Sequence, residues 1–168
     1  MKILGIDPGS RVTGFGLVEH QGSSTRYLES GCIRLPDKMN LSDKLVQISE
    51  ELEKIIETNL PDCASIEQIF FAHNPRSALI LGHVRGVILL KIAEKGLPIH
   101  EYPPLQVKQA VVGVGRASKD QVNQMVQILL NKRQKFKEDE ADALASAITH
   151  AHLHPMIERM KIDGSKGS

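Results

Sequence analysis

The hydrophobic pattern changes period after the first quarter of this chain, and that change limits the folds open to it. Up to Pro36 the apolar residues follow the two-residue period of strands, whereas from Leu41 to about Asn59 they recur at helical spacing, and strand-like and helical segments alternate after that. Lys2–Asp7 reads as a short buried strand stopped by Pro8-Gly9, and residues 12–19 alternate around Gly14 and Gly16 as a second strand. A Gln21-Gly22-Ser23-Ser24 turn signal leads into a third strand over residues 26–35, so the chain opens as a three-stranded meander.

Leu41, Leu45, Ile48, Leu52, Ile55 and Ile56 then share one helical face, and Pro61 ends that helix. A fourth strand is expected over residues 63–71, an apolar helix over 75–95 closed by Gly96 and Pro98, and a fifth strand over 98–102. A short helix follows at 104–112 and breaks at Gly113-Val114-Gly115. Ser118-Lys119-Asp120-Gln121 has capping-box spacing ahead of the stripe Val122, Met125, Val126 and Leu129. The last helix is expected from about 138 to 154, before Pro155. The order β-β-β-α-β-α-β-α, with further helices after it, implies an α/β fold: a mixed five-stranded sheet flanked by helices, the ribonuclease-H-like pattern. Residues 1–155 are expected to form one domain and residues 156–168 a flexible, Gly/Ser-rich tail.

Length and composition fit this reading, since 168 residues suit one core. The N-terminal apolar run is too short for a signal peptide, and no stretch of 18 uncharged apolar residues is present, so a cytoplasmic protein is expected. Cys32 and Cys63 stand alone without C-x-x-C spacing, which points to reduced thiols and gives no sequence support for zinc. Net charge is +1, but residues 68–119 hold seven basic side chains against two acids, and a second basic cluster runs from Lys132 to Lys137. Such asymmetry suits a face that meets a polyanion.

Four carboxylates stand out on three elements. Asp7 ends a buried strand, and Glu67 lies inside the fourth strand, where both faces are expected to be covered. Asp139 and Asp142 are three apart on one face of the last helix, near its N-terminus, where the dipole favours negative charge. The topology can bring all four to one end of the sheet. Clustered carboxylates repel, and hard divalent cations relieve the repulsion, so magnesium or manganese is expected. Two ions about 3.5–4 Å apart would clamp the attacking and leaving oxygens of a phosphodiester. Glu138, four before Asp142, shares its face and stands as an alternative ligand.

The motifs carry a resemblance. Leu4-Gly5-Ile6-Asp7-Pro8-Gly9-Ser10 with Thr13-Gly14-Phe15-Gly16 is similar to the opening motif of the RuvC Holliday-junction resolvases. Ile66-Glu67-Gln68-Ile69-Phe70, Gln106 to Gly113, and Asp139 to His150 resemble the family's later motifs in order. The resemblance implies a magnesium-dependent endonuclease. It would act as a homodimer on four-way junctions in recombination and repair, nicking two strands symmetrically, with RuvA–RuvB as partners. It assigns Asp7, Glu67, Asp139 and Asp142 to the metal, places Lys108 and Lys119 near the scissile DNA, and has Phe70 stack on an unpaired base.

Arg76, in the loop after Phe70-Phe71, and Arg116 are further candidates for DNA contact, and either phenylalanine could be the exposed one. The helix over 75–95 is apolar on more than one face, and Gly82 and Gly86 would let another helix approach, which suggests a dimer interface or burial among neighbouring helices. A junction-binding module without nuclease activity, an actin-like phosphotransferase and a ribonuclease H remain as rivals.

Overall fold

The structure is a computed structural model; it describes residues 1–68 and 75–164, with Arg76 and residues 155–164 described by backbone alone. The elements are β1 (Lys2–Asp7), β2 (Val12–Gln21), β3 (Ser24–Arg34), α1 (Leu41–Asn59), β4 (Cys63–Glu67), α2 (Pro75–Glu94), β5 (Ile99–Tyr102), α3 (Pro104–Val112), α4 (Lys119–Leu129) and α5 (Glu138–Gly164). They form one sheet in the order β3-β2-β1-β4-β5. The meander β1-β2-β3 is antiparallel, while β4 and β5 run parallel to β1. This is the expected mixed sheet.

Strand alternation sorts the side chains into two layers. Leu4, Ile6, Ala64 and Ile66 face α1 and α2, where they pack with Ile48, Leu52, Val84, Ile88 and Ile92. Ile3 and Cys63 face the other way, into a core completed by Val107, Val111, Val126, Leu144 and Ile148 from α3, α4 and α5. Gly5, Asp7, Ser65 and Glu67 share this second face by their two-residue spacing. A Cβ at Gly5 would stand 2.0 Å from the carbonyl oxygen of Ala143, and one at Gly14 would stand 2.0 Å from that of Asp139. Only glycine lets α5 lie this close to β1 and β2.

The capping box forms as expected: the Gln121 amide donates to Ser118 Oγ at 3.3 Å, and the Ser118 amide donates to Gln121 Oε1 at 2.8 Å. The β2–β3 hairpin is longer than its sequence suggests. Its loop shrinks to Gly22-Ser23, with Gly22 at φ 60°, which suits a two-residue hairpin turn. β4 runs to Glu67, and the Gln68 amide still donates to the Tyr102 carbonyl at 2.8 Å; residues 69–71 of the expected strand lie outside the described residues. One expectation fails. α5 continues through Pro155 to Gly164. A proline removes one amide donor from a helix, and the flanking turns carry the segment on.

Candidate active site

Register brings the first two carboxylates together. Ile6 lies across from Ile66 in the parallel pair, so Asp7 and Glu67 leave the carboxyl ends of adjacent central strands on one face. The loop after Asp7 is pinned by the buried Thr13: its hydroxyl accepts from the Gly9 amide and donates to the Gly9 carbonyl, both at 3.3 Å. α5 supplies the third carboxylate. It begins above β2 at Gly14 and runs antiparallel to β1 and β4, and Ser146 is fixed to Ser65 by hydroxyl contacts of 2.8 Å. Asp142, one turn before Ser146, therefore comes level with Glu67.

Asp7, Glu67 and Asp142 line a cleft of about 280 Å³ together with Lys108, Lys119, Pro104, Val107 and Val122. Asp139 does not line the cleft, yet it lies near enough to act on Asp7. Burial, reinforced by Asp142, Glu67 and Asp139, pushes the Asp7 carboxyl from 3.8 up to about 8. Burial and Asp142 raise Glu67, opposed by Lys108 and Lys119. Burial also raises Asp142, which Lys119 opposes and Glu138 and Asp139 assist. The carboxylates are thus held at a cost that a bound cation would remove. Their donors are all hard oxygens, which fits magnesium or manganese.

Lys119 opens α4 beneath this cluster, paired with Glu138 and 3.7 Å from Asp142. Glu138 is mostly exposed and does not line the cleft, so the arrangement does not favour it as a ligand. Glu140 turns toward β3, within reach of Ser30 and Cys32. Lys108, on α3, is half-buried at the cleft wall. Arg116 is exposed in the loop between α3 and α4. Phe70, Phe71 and the rest of residues 69–74 lie outside the described residues, and the side chain of Arg76 does too.

Sequence reasoning missed the role of Arg85. From α2 it donates to the Glu67 carbonyl at 2.9 Å and meets Glu101 at 3.1 Å, tying the end of β4 to β5. Its sequence signal was slight: a cation midway along a largely apolar helix. The basic cluster from Lys132 is divided by the fold: Lys132 sits 4.3 Å over the Tyr27 ring and Phe136 is buried. Lys135 and Lys137 line a second cleft, of about 300 Å³, that shares Lys119 and Asp142 with the first.

A fold of this kind, with carboxylates at the ends of the first and fourth strands and on the last helix, has known counterparts. The family model for crossover junction endodeoxyribonuclease RuvC matches residues 3–150. The chain belongs to the RuvC family. The relative from Bordetella avium is 49% identical over 95% of this chain and 88% of its own length. The one from Marinobacter nauticus is 48% identical over 98% of this chain and 93% of its own. Both carry the name crossover junction endodeoxyribonuclease RuvC. Thermus thermophilus RuvC in complex with a Holliday junction substrate superposes with a TM-score of 0.88 at 31% identity, over 93% of this chain and 96% of that one. The yeast mitochondrial Holliday junction resolvase Ydc2 shares the fold, with a TM-score of 0.68 at 18% identity over 94% of this chain and 80% of its own. Among the described residues no helix is long and apolar enough to cross a membrane.

Proposed function

We propose that this chain is a magnesium-dependent endodeoxyribonuclease that resolves four-way DNA junctions by paired symmetric nicks, with the cleft of Asp7, Glu67 and Asp142 as its active site. One observation carries the assignment: three carboxylates, each raised first by its own burial, converge at the carboxyl ends of the central strands in a cleft walled by two lysines. Asp7, Glu67 and Asp142, with Asp139 beside them, would hold one or two magnesium ions, and manganese would substitute. Ions bound there supply Lewis acidity at the phosphate and lower the pKa of a water nucleophile.

The rest falls to the chain itself. Lys119 and Lys108 neutralise phosphate oxygens at the cleft, and Lys119 exchanges Glu138 for phosphate as DNA enters. Arg85 holds the Glu67 backbone so that its carboxylate stays aimed at the cleft. Lys135 and Lys137 extend the basic path beyond Asp142. Arg116 and Arg76 would contact flanking phosphates, and Phe70, three residues after Glu67, would stack on an unpaired base, a contact of about 1–3 kcal/mol. Acting on DNA as a single catalytic domain, the chain would work in the cytoplasm of a bacterial cell, with RuvA–RuvB-type branch-migration proteins as partners.

Two cleavage points on one junction call for two sites related by a two-fold axis. The surface that supports this is α2. Val84, Ile88 and Ile92 are buried against the sheet, while Leu79 and Leu90 are 63% and 59% exposed. They border an apolar groove of about 740 Å³ with Leu45, Ala78 and Val87. Among the described residues nothing lies within 4 Å of a Cβ built at Gly82 or Gly86, so a second backbone can approach there. The chain should be a dimer in solution, and Leu79→Glu with Leu90→Glu should make it a monomer that nicks one strand at a time. Offering a synthetic junction, a linear duplex and an RNA–DNA hybrid tests the substrate. Preference for the junction is expected; preference for the hybrid would keep the site and overturn the substrate.

A further inference from the structure

The face of the sheet that carries the carboxylates continues downward. Cys63, Ser65 and Glu67 point the same way from β4, and Asp142, Ser146 and His150 follow at one-turn intervals along α5. The two series run in opposite directions, so Glu67 meets Asp142, Ser65 meets Ser146, and Cys63 meets His150. The register of β5 sets His100 beside Ser65. We propose that Cys63, His100 and His150 form a second metal site, for a borderline or soft divalent cation such as zinc, about 12 Å along α5 from the carboxylates.

Geometry supports it. Among the described residues, one ligand atom from each of Cys63, His100 and His150 lies within 4.8 Å of the others. Zinc bonds of about 2.0–2.3 Å imply tetrahedral edges of about 3.3–3.8 Å, so closure needs roughly 1 Å of movement. His150 is fully buried, and its Nε2 has no hydrogen-bond partner among the described residues. Its other nitrogen lies 2.7 Å from the Tyr102 hydroxyl, the outer contact that fixes the ring and leaves Nε2 for a metal. The His100 and His150 rings stack at 4.0 Å. His154, one turn further along α5, has its ring 5.2 Å from that of His150 and a buried Nδ1 without a partner among the described residues, which makes it the candidate fourth ligand. Sulfur with imidazole selects zinc over magnesium, so the two sites do not compete. On binding, the Cys63 S–H bond breaks, a sulfur–metal bond forms and one proton leaves to solvent. The ion would staple β4, β5 and α5 together.

The test is titration of the reduced, metal-stripped full chain with Co2+ in the presence of excess Mg2+. One equivalent should bind with a thiolate-to-cobalt charge-transfer band that Zn2+ abolishes. The band should vanish in Cys63→Ser and in the half-buried His100→Gln, and survive in Cys32→Ser and Asp7→Asn. Tyr102→Phe should keep the band and weaken binding by about 10–100-fold. Absence of the band in the wild type, or its persistence in Cys63→Ser, would overturn the proposal. His100→Gln provides the same answer should Cys63→Ser fail to fold.

Discussion

Asp7→Asn should make the metal-free protein more stable while removing its activity. In the folded chain Asp7 is pushed from 3.8 to about 8 by burial and by Asp142, Glu67 and Asp139. A tenfold change in proton affinity is worth about 1.4 kcal/mol, so the ceiling at high pH is about 6 kcal/mol. Relaxation and water entry lower effective charge interactions in proteins, and about 2–4 kcal/mol is the expected gain at pH 8. For a chain of this size that is a rise in Tm of about 5–15 °C. Because the folded-state value is raised, protonation favours the folded form. The penalty is absent below about pH 4, grows as pH rises toward 8, and is complete above it. Asparagine carries no such penalty. Thermal melts of wild type and Asp7→Asn, in chelator, across this window should show a gap that opens with pH. Mg2+ should close it by stabilising the wild type alone. A variant that melts at or below the wild type at pH 8, or a gap that does not change with pH, would mean that Asp7 is not held under electrostatic strain.

Gly14→Ala should push the start of α5 off β2, since the added methyl meets the Asp139 carbonyl at 2.0 Å. A loss of about 1–3 kcal/mol in denaturant unfolding is expected, with a larger fractional loss of nicking than of junction binding. Arg85→Met frees the Glu67 carbonyl and leaves Glu101 unpaired. Nicking kinetics should show a lower kcat with KM nearly unchanged, and a matching change in both would reduce Arg85 to a purely structural residue.

What the sequence makes legible here is whatever depends on local spacing. Asp7 and Glu67 can be picked out because each interrupts an apolar strand, and the β-β-β-α-β-α-β order places those strands side by side. Asp142 follows from helical spacing. Asp139 does not resolve so well: whether a residue at the edge of a helical face enters a cleft depends on the roll of α5, which is set by the close approach at Gly5 and Gly14. The run of α5 through Pro155 is not legible locally, because a proline reads as a helix stop. Cys63, His100 and His150 carry no motif because they come from β4, β5 and α5. Scattered along the chain, they look like lone packing residues, and only the register of β4 with β5 and the direction of α5 bring them together. Arg85 escaped for the same reason.

Cutting of the junction by the Asp7–Glu67–Asp142 cleft is open to direct measurement. An end-labelled four-way junction is offered to wild type and Asp142→Asn with Mg2+, at protein concentrations where both bind the junction fully in a mobility-shift assay. Paired, symmetric nicks are expected from the wild type. The variant should keep its binding and nick at least ~100-fold more slowly, as befits loss of a carboxylate that would hold the catalytic metal. Nicking by Asp142→Asn at near the wild-type rate would contradict this and move the chemistry elsewhere on the molecule.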